Sequence, residues 1–251
     1  MSSVTISLIV FACIFGGALL GIFLHKSLPQ HHLAADSKDI VKLGMGLVGT
    51  MSALVLGLLV ASAKGSYDAQ SAELTQMSAN FALLDRGLAL YGPETKEARG
   101  LLRGAVSRIL DQMWSKDGTS ASAEAPTSAG GEILYEKIQG LAPKNDTQRS
   151  LQSQALSITV DIGKTRYLMF AQQATSVSFP LLVVLVLWLT VIFISFGLFA
   201  PVNGTVIASL FVSALSVSGA IFLILEMYTP YAGLIQISSA PLRAALAQLG
   251  Q

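Results

Sequence analysis

The sequence predicts an all-α integral membrane protein with four spans, two on each side of a central helical domain. The segments Val4–Leu24 and Leu43–Ala63 are long and apolar, and every residue from Tyr167 to Leu225 lacks Asp, Glu, Lys and Arg. The pair Asn203-Gly204 interrupts that last stretch near its middle. A helix rises about 1.5 Å per residue, so about 20 apolar residues cross a hydrocarbon core of about 30 Å. Four apolar segments of this length predict four spans.

Charge is concentrated between the two pairs of predicted spans. The chain is 52% hydrophobic and 12% charged, and Lys64–Arg166 holds 12 of its 16 basic and 12 of its 15 acidic residues. Balanced charge suits a water-exposed helical domain and lacks the basic excess of a nucleic-acid-binding surface. We therefore expect a soluble domain in the middle of the chain and no nucleic-acid partner.

The predicted domain boundaries follow from this pattern. Residues 1–63 carry spans one and two, 64–175 form the soluble domain, 176–227 carry spans three and four, and 228–251 form a C-terminal amphipathic helix. The first apolar segment has no basic region before it, and its small residues lie in mid-segment rather than at a cleavage site. We therefore expect a retained span rather than a signal peptide.

Two apolar seams with heptad spacing flank the soluble domain. The first follows span two and ends before Gly92-Pro93, and the second begins after a predicted N-cap at Asp146. We expect each helix to continue the adjacent span and the two to pair as an antiparallel stalk. The alternative is that each packs in its own bundle. The first seam comprises Leu74, Met77, Phe81, Leu84, Leu88 and Tyr91, and the second Leu151, Ala155, Ile158, Ile162, Thr165 and Met169.

Two further helices are expected between the seams, from Glu94 to about Trp114 and from Glu132 to about Leu141. Ser115–Gly131 is rich in Ser, Ala, Gly, Thr and Pro and has almost nothing to bury, which predicts a flexible linker. After span four, Ser238-Ser239 precede an apolar stripe of Leu242, Ala245, Leu246 and Leu249. This stripe fits either a helix on the membrane surface or a helix docked on the stalk.

Basic residues near the span ends are almost evenly divided between the two sides of the membrane. Lys26, Lys38 and Lys42 lie on one side, and on the other are Lys64, Lys164, Arg166 and Arg243. The connection between spans three and four carries no charge, and a short neutral turn is easily translocated. We therefore expect both termini and the 64–175 domain to be cytoplasmic.

Span two carries a stripe of small residues, each four positions after the last. Small side chains at this spacing allow helix backbones to approach closely, which favours packing against another span or a neighbouring subunit. The same feature would also leave room for a pore or gate. The stripe comprises Gly49, Ala53, Gly57, Ala61 and Gly65, and span one repeats the theme with Gly17 and Gly21.

Span four carries the polar counterpart, because Thr205, Ser209, Ser213 and Ser216 share one face. These hydroxyls fit either hydrogen bonding within and between helices or a hydrated ion pathway. Glu226 is the only acidic residue within or beside a predicted span. Carboxylates at this depth are costly and usually face a cavity or a partner, so Glu226 is a candidate ion-binding residue, although its place near the span end also lets it reach the headgroups.

The sequence gives little support for a metal site, a cofactor site or a catalytic site. His25, His31 and His32 cluster with Asp36 and Asp39, but their spacing matches no metal-binding motif. The chain lacks a nucleophile–base motif, a glycine-rich phosphate loop after a strand, and HExxH. We therefore expect no catalytic residues, no metal and no cofactor, and a protein that is not an enzyme.

Three segments of the chain resemble an uncharacterised bacterial membrane family described as bestrophin-like. They are LGMGLVGTMSALVLGLLVASAKGSYD, DRGLALYGPETKEAR, and the tail from FGLFAPVNGTVIASLFVSALSVSGAIFLILEM to GLIQISSAPLRAALAQLG. The resemblance implies a multi-pass protein of the bacterial inner membrane. True bestrophins are oligomeric anion channels with two spans, a cytosolic helical domain and two further spans. By that analogy the chain would form a homo-oligomer, a pentamer, that conducts inorganic ions.

The chain departs from bestrophins at the pore. Their pore is narrowed by bulky side chains on span two, where this chain carries small residues, and the neck motif has no match. The expected function is therefore a homo-oligomeric ion channel or channel-like pore whose ion is undefined. The alternative is a membrane-anchored scaffold or sensor, in which the spans hold a helical stalk that binds partner proteins.

Overall fold

The computed structural model describes residues 2–27, 35–114, 129–173 and 179–250, and all regular structure within these residues is helical. The helix bounds agree closely with the apolar segments and seams of the sequence. The helices are α1 Ser3–Ser27, α2 Ala35–Tyr91, α3 Lys96–Met113, α4 Ala129–Gln139, α5 Asp146–Gln173, α6 Phe179–Phe199, α7 Gly204–Met227 and α8 Ala240–Gln248, with a 3₁₀ turn at Pro93–Thr95 before α3.

Four of the described helices are long and apolar enough to cross a membrane: α1, α2 over Lys38–Tyr91, α6 and α7. An all-helical fold with four apolar helices is therefore confirmed for the described residues. The chain divides into two compact units. The first unit comprises Met1–Gly65 and Ser176–Tyr228, and the second comprises Ser66–Thr175 and Thr229–Gln251.

Helix α1 is the centre of packing in the first unit. Its buried residues Ile14 and Ala18 share a core with Phe193 of α6 and with Ala214 and Ile221 of α7. Aromatic rings extend this contact, because Phe211 of α7 lies edge-on to two rings of α1, at centroid distances of 5.4 Å from each. Edge-to-face pairs at this separation are favourable beyond the area they bury.

Glycines bring α1 and α6 into backbone contact. A Cβ atom at Gly21 would overlap the carbonyl oxygen of Ile194 and lie 2.9 Å from the amide nitrogen of Leu198. A Cβ atom at Gly197 would overlap the carbonyl of Ala18 and lie 2.9 Å from the amide nitrogen of Ile22. The two helices therefore pack at a separation that only glycine permits, and the glycines are reciprocal.

The two predicted seams form an antiparallel pair in the second unit. All six residues of the first seam are buried, and Ala155, Ile162 and Met169 of the second lie in the same core. The direction follows from two hydrogen bonds. Gln148 Nε2 donates to the Tyr91 carbonyl at 2.9 Å, and Gln172 Nε2 donates to Glu73 Oε1 at 2.6 Å. The start of α5 therefore lies beside the end of α2 at Tyr91. The end of α5 lies beside Glu73, where the first seam begins.

Helix α2 ends where the sequence predicts. Gly92 has φ 138°, a conformation that favours glycine, and Pro93 opens the 3₁₀ turn. The Thr95 hydroxyl bonds the carbonyls of Leu88 at 2.6 Å and Gly92 at 2.8 Å, which satisfies two groups at the helix end. Beyond this turn, both nitrogens of the Arg99 fork donate to Asp85, each at 2.8 Å.

The predicted linker is shorter than the sequence indicates. Helix α4 begins at Ala129, so the last three residues of Ser115–Gly131 belong to a helix. Two glycines obscured that start, because glycine is a weak helix former. Residues 115–128 lie outside the described part of the chain, as do residues 174–178, where continuity between α5 and span three was predicted.

The C-terminal helix docks on the helical domain, which is one of the two alternatives the sequence left open. Leu242, Ala245 and Leu249 are buried, and the first and last join the core of the second unit. The chain end is held by polar contacts. Arg103 Nη1 donates to the Leu249 carbonyl at 3.1 Å, and the Gly250 amide donates to Asp85 Oδ2 at 3.2 Å.

The contact between α1 and α6 predicts that leucine substitutions at two glycines of α1 differ strongly in their effect on stability. Gly21→Leu places a side chain where the backbone of α6 lies, and overpacking of this kind costs about 1–3 kcal/mol or more. We expect the thermal unfolding midpoint of the purified protein in mild detergent to fall, or the protein to fail to accumulate in the membrane. Gly16→Leu is the matched control, because Gly16 is exposed and nothing lies within 4 Å of its Cβ position. Equal midpoints for the two variants would contradict the close contact.

Candidate functional site

Helix α2 is the least covered of the four apolar helices. Within its most apolar window 11% of residues are buried inside the chain, against 39% for α1 and 28% each for α6 and α7. Its packed face is narrow: Leu59 and Ala63 contact a cluster that includes Leu185 of α6 and Ile224 of α7. Most of an apolar helix is therefore left for lipid, for another copy of the chain, or for a conduit.

The small-residue stripe turns away from this packed face. A helix advances about 100° per residue, so positions four apart drift by about 40° at each step. Gly49 lies at the edge of the packed face, since its Cβ position is 4.0 Å from Ile192 Cδ1. Further along, Ala53, Gly57 and Ala61 are exposed, and nothing lies within 4 Å of the Gly57 Cβ position. Among the described residues, the stripe beyond Gly49 is therefore not covered by another helix.

The outward surface of α2 has a bulky side and a small side. The drift of the stripe brings Gly57 and Ala61 round to the part of the helix opposite Leu59, next to a row of large exposed side chains. Branched apolar side chains suit lipid, whereas the small side offers a surface that another helix can approach closely. The bulky row consists of Ile40, Leu43, Leu47, Leu54 and Leu58.

The hydroxyl face of α7 also points away from the packing of the first unit. Leu210, Ala214 and Ile221 form the packed side. Thr205, Ser209, Ser213 and Ser216 are exposed and lie about half a turn away. The Ser216 hydroxyl donates to the Val212 carbonyl of its own helix at 2.8 Å. Thus, apart from Gly49, the residues of both faces singled out in the sequence are exposed in the described part of the chain.

Glu226 is enclosed by the protein rather than extended toward headgroups. It lies in the last turn of α7, is 4% exposed, and follows the buried residues Ile224 and Leu225. The helix ends at Met227 and is capped by Tyr228, whose hydroxyl lies 3.1 Å from the Ser62 hydroxyl of α2. Glu226 is therefore buried two residues before the tyrosine that contacts α2.

The histidine cluster of the first connection is only partly described. His25 Nδ1 lies 2.7 Å from the Leu198 carbonyl, so this ring caps the end of the α1–α6 contact. His31 and His32 fall outside the described residues. Among the residues that are described, no group of three or more His, Cys, Asp or Glu side chains could hold a metal ion.

A buried polar cluster in the second unit was missed in the sequence. Gln70 is 2% exposed, and Glu73 accepts the hydrogen bond from Gln172. Nearby, burial raises the pKa of the Tyr231 phenol, and the charge of Glu73 raises it further. A signal existed, because Gln70 lies four residues before Leu74 and continues the heptad seam with a polar side chain. A polar residue at such a position marks a core that is not wholly apolar.

Comparison with known proteins identifies the family. The family model described as Bestrophin-like domain matches residues 12–242, a range that includes all four apolar helices for most of their length, the helical domain and the start of α8. No curated protein and no solved structure matches the chain. Since the match covers far more than half of the sequence, the chain belongs to the Bestrophin-like domain family.

Proposed function

We propose that the protein is a homo-oligomeric pore that passes ions across the membrane, with α2 and α7 contributing to its wall. The observation that carries the proposal is the coverage of α2. In the most apolar window of α2 only 11% of the residues are buried, so most of the helix surface is not covered by the chain itself. One side of that uncovered surface consists of Gly57 and neighbouring alanines. Membership in a channel-like family supports the same function.

The pore requires several copies of the chain because one copy has only four apolar helices and leaves the small side of α2 uncovered. Four apolar helices, of which α6 and α7 pack on α1 and α2 packs on α6 and α7, leave little room for a conduit inside one chain. In lipid, helices associate through close packing and hydrogen bonds rather than through the hydrophobic effect. The small side of α2 supplies a surface for such packing between copies. By analogy with bestrophins we propose five copies in the inner membrane of a bacterium, with the helical domain in the cytoplasm.

The hydroxyl face of α7 supplies the polar lining in this proposal. Hydroxyl groups solvate ions of either sign, so this face alone does not select between cations and anions. Glu226 would repel anions wherever its charge reaches the conduit, and it therefore favours cations or proton binding near the end of α7. We therefore propose conduction without assigning the charge of the ion, which separate flux measurements for cations and anions determine.

The second candidate function is a membrane-anchored scaffold or sensor. One observation favours it: Leu83 and Leu90 of α2 are 56% and 66% exposed in the second unit. They are seven residues apart and so share one face of the helix. An apolar pair on a water-exposed helix suits contact with a partner protein, and such contact does not require a pore.

Cysteine accessibility separates the two functions. In a Cys13→Ser background, which removes the exposed native thiol, Ser209→Cys and Ser213→Cys should react with a charged, water-soluble methanethiosulfonate reagent. A hydrated path makes the thiolate accessible, and lipid does not. We expect modification at least about tenfold faster than at Leu187→Cys, an exposed apolar position of α6. Rates at Ser209 and Ser213 that match the slow rate at Leu187 would contradict a pore at this face.

A bulky substitution tests the small side of α2. Gly57→Leu adds a side chain where two copies would approach closely, and overpacking there costs about 1–3 kcal/mol or more. We expect dissociation to smaller species on size exclusion in mild detergent. Gly44→Leu is the control, since Gly44 is also exposed with nothing within 4 Å but lies beside the bulky row.

Two other outcomes of the Gly57 experiment are informative. If the oligomer survives and ion flux falls, the same side lines the pathway instead of joining the copies. If Gly57→Leu changes neither the oligomer nor the flux, the small side faces lipid, and neither use of the stripe holds.

A further inference from the structure

The helical domain contains a cavity that the proposed conduction does not use. Its volume is about 640 Å³, and it lies between α3, α4 and α5 in the second unit. The walls are largely apolar side chains of the domain core, and Gln112 and Gln139 add amide groups. The apolar lining comprises Phe81, Leu102, Ile109, Leu134 and Ile162. Cavities of about 300–1,000 Å³ with mostly apolar walls and a few polar groups are typical of small-molecule sites.

Two arginines, Arg108 of α3 and Arg166 of α5, line the same cavity. Burial lowers the pKa of the Arg166 guanidinium, and the nearby positive charge of Arg108 lowers it further. Arg108 is exposed and Arg166 is partly buried. Like charges held close together are unfavourable unless an anion lies between them. The fold of the domain therefore places both arginines at one cavity although their charges repel.

Within the described part of the chain, no ion pair is formed by Arg108 or Arg166. Glu132 and Glu136 also line the cavity, but both are exposed, and neither forms an ion pair with Arg108 or Arg166 among the described residues. The hydrogen bond that Arg108 makes runs to the Gly104 carbonyl of its own helix, at 3.3 Å. Its guanidinium lies at the start of α4, 3.2 Å from the Cβ position of Gly130.

Other arginines of the domain show what a structural role looks like here. Arg99 holds Asp85 with two bonds, and Arg149 pairs with Asp146 at 2.7 Å. Arg103 donates to the carbonyl of Leu249 at the chain end. By contrast, Arg108 and Arg166 line one cavity and form no ion pair with another described residue. A planar guanidinium fork matches carboxylate, phosphate and sulfonate oxygens, so a pair of them is a recognition element for an oxyanion.

We propose that this cavity binds a small organic anion, with its oxyanion group between Arg108 and Arg166 and its apolar body against the core side chains. The volume excludes a bare inorganic anion as the natural occupant, because such an ion would leave most of the apolar wall without a partner. The ligand therefore needs an apolar body, in addition to its charged group, to contact these side chains. This site is independent of conduction and stands whether or not the protein passes ions.

The test uses the full-length protein in nanodiscs of zwitterionic lipid, which supply no net negative charge to compete. Isothermal titration calorimetry with naphthalene-2-sulfonate supplies an oxyanion on an apolar body. Inorganic sulfate supplies the anion without the body, and naphthalene-2-methanol supplies the body without the charge. We expect the sulfonate to bind at least about tenfold more tightly than either of the others, since the charge-assisted bonds and the burial of the ring contribute separately.

Three substitutions locate the binding. Arg166→Gln and Arg108→Gln should each weaken the sulfonate by about tenfold or more, because each removes a charged donor. Gly163→Leu should abolish binding by filling the space, since Gly163 lines the cavity and nothing lies within 4 Å of its Cβ position. Arg149→Gln is the control on the same helix, and it should leave the affinity unchanged because its charge pairs with Asp146 elsewhere.

Stability in the absence of ligand separates recognition from structure. If Arg166 is present to bind an anion, Arg166→Gln should leave the thermal midpoint unchanged or raise it, because it removes a partly buried positive charge that lies near the charge of Arg108. A lower midpoint would assign Arg166 a structural role and overturn the proposal. Wild-type affinity in the Gln and Leu variants would overturn it too. So would equal binding of the neutral alcohol, or sulfate binding as tightly as the sulfonate.

Discussion

Close backbone contact between α1 and α6 is the constraint on which the arrangement of the apolar helices depends. Lipid removes the hydrophobic drive that joins helices in water, so the chain relies on dispersion and short polar contacts. Gly21 and Gly197 permit both, because each lets the opposite helix reach its backbone. His25 adds a hydrogen bond to the end of the same contact. Helix α7 then packs on the far part of α1, through Ala214 and Ile221. With α1 enclosed in this way, α2 remains largely uncovered.

Helix α2 carries two different kinds of surface along its length. Its first part is apolar and exposed, while the part beyond Gly65 buries a heptad seam against α5 and α3. The end of the seam is closed by the Thr95 hydroxyl and by the Asp85–Arg99 pair. Asp85 also accepts the amide of Gly250, so the C-terminus of the chain is joined to the same ion pair. The helical domain is therefore held by contacts between residues distant in sequence, and its core includes α8.

Local periodicity made some of this structure predictable. The seams and the helix start at Asp146 depend on residue spacing within one segment, so they could be predicted from the sequence. The choice between small-residue stripes depends on which helices meet, and spacing does not encode that. Gly17 and Gly21 form a short stripe that makes the contact, whereas the longer stripe through Gly57 is exposed beyond Gly49 in the part of the chain that the structure describes. The shared cavity of Arg108 and Arg166 could not be predicted for the same reason, since the two residues are distant in sequence and only the packing of α4 against α3 and α5 brings them to one cavity.

The central claim is that copies of the chain enclose an ion path along the uncovered faces of α2 and α7. Reconstitution of the purified protein into liposomes loaded with potassium chloride tests it most directly, with potassium and chloride efflux recorded separately across pH and membrane voltage. The account predicts protein-dependent efflux of at least one ion. It further predicts that a charged thiol reagent reduces this efflux in the Ser213→Cys variant and not in the Leu187→Cys variant. Absence of flux for every common cation and anion, from a preparation shown to be oligomeric, would contradict the account.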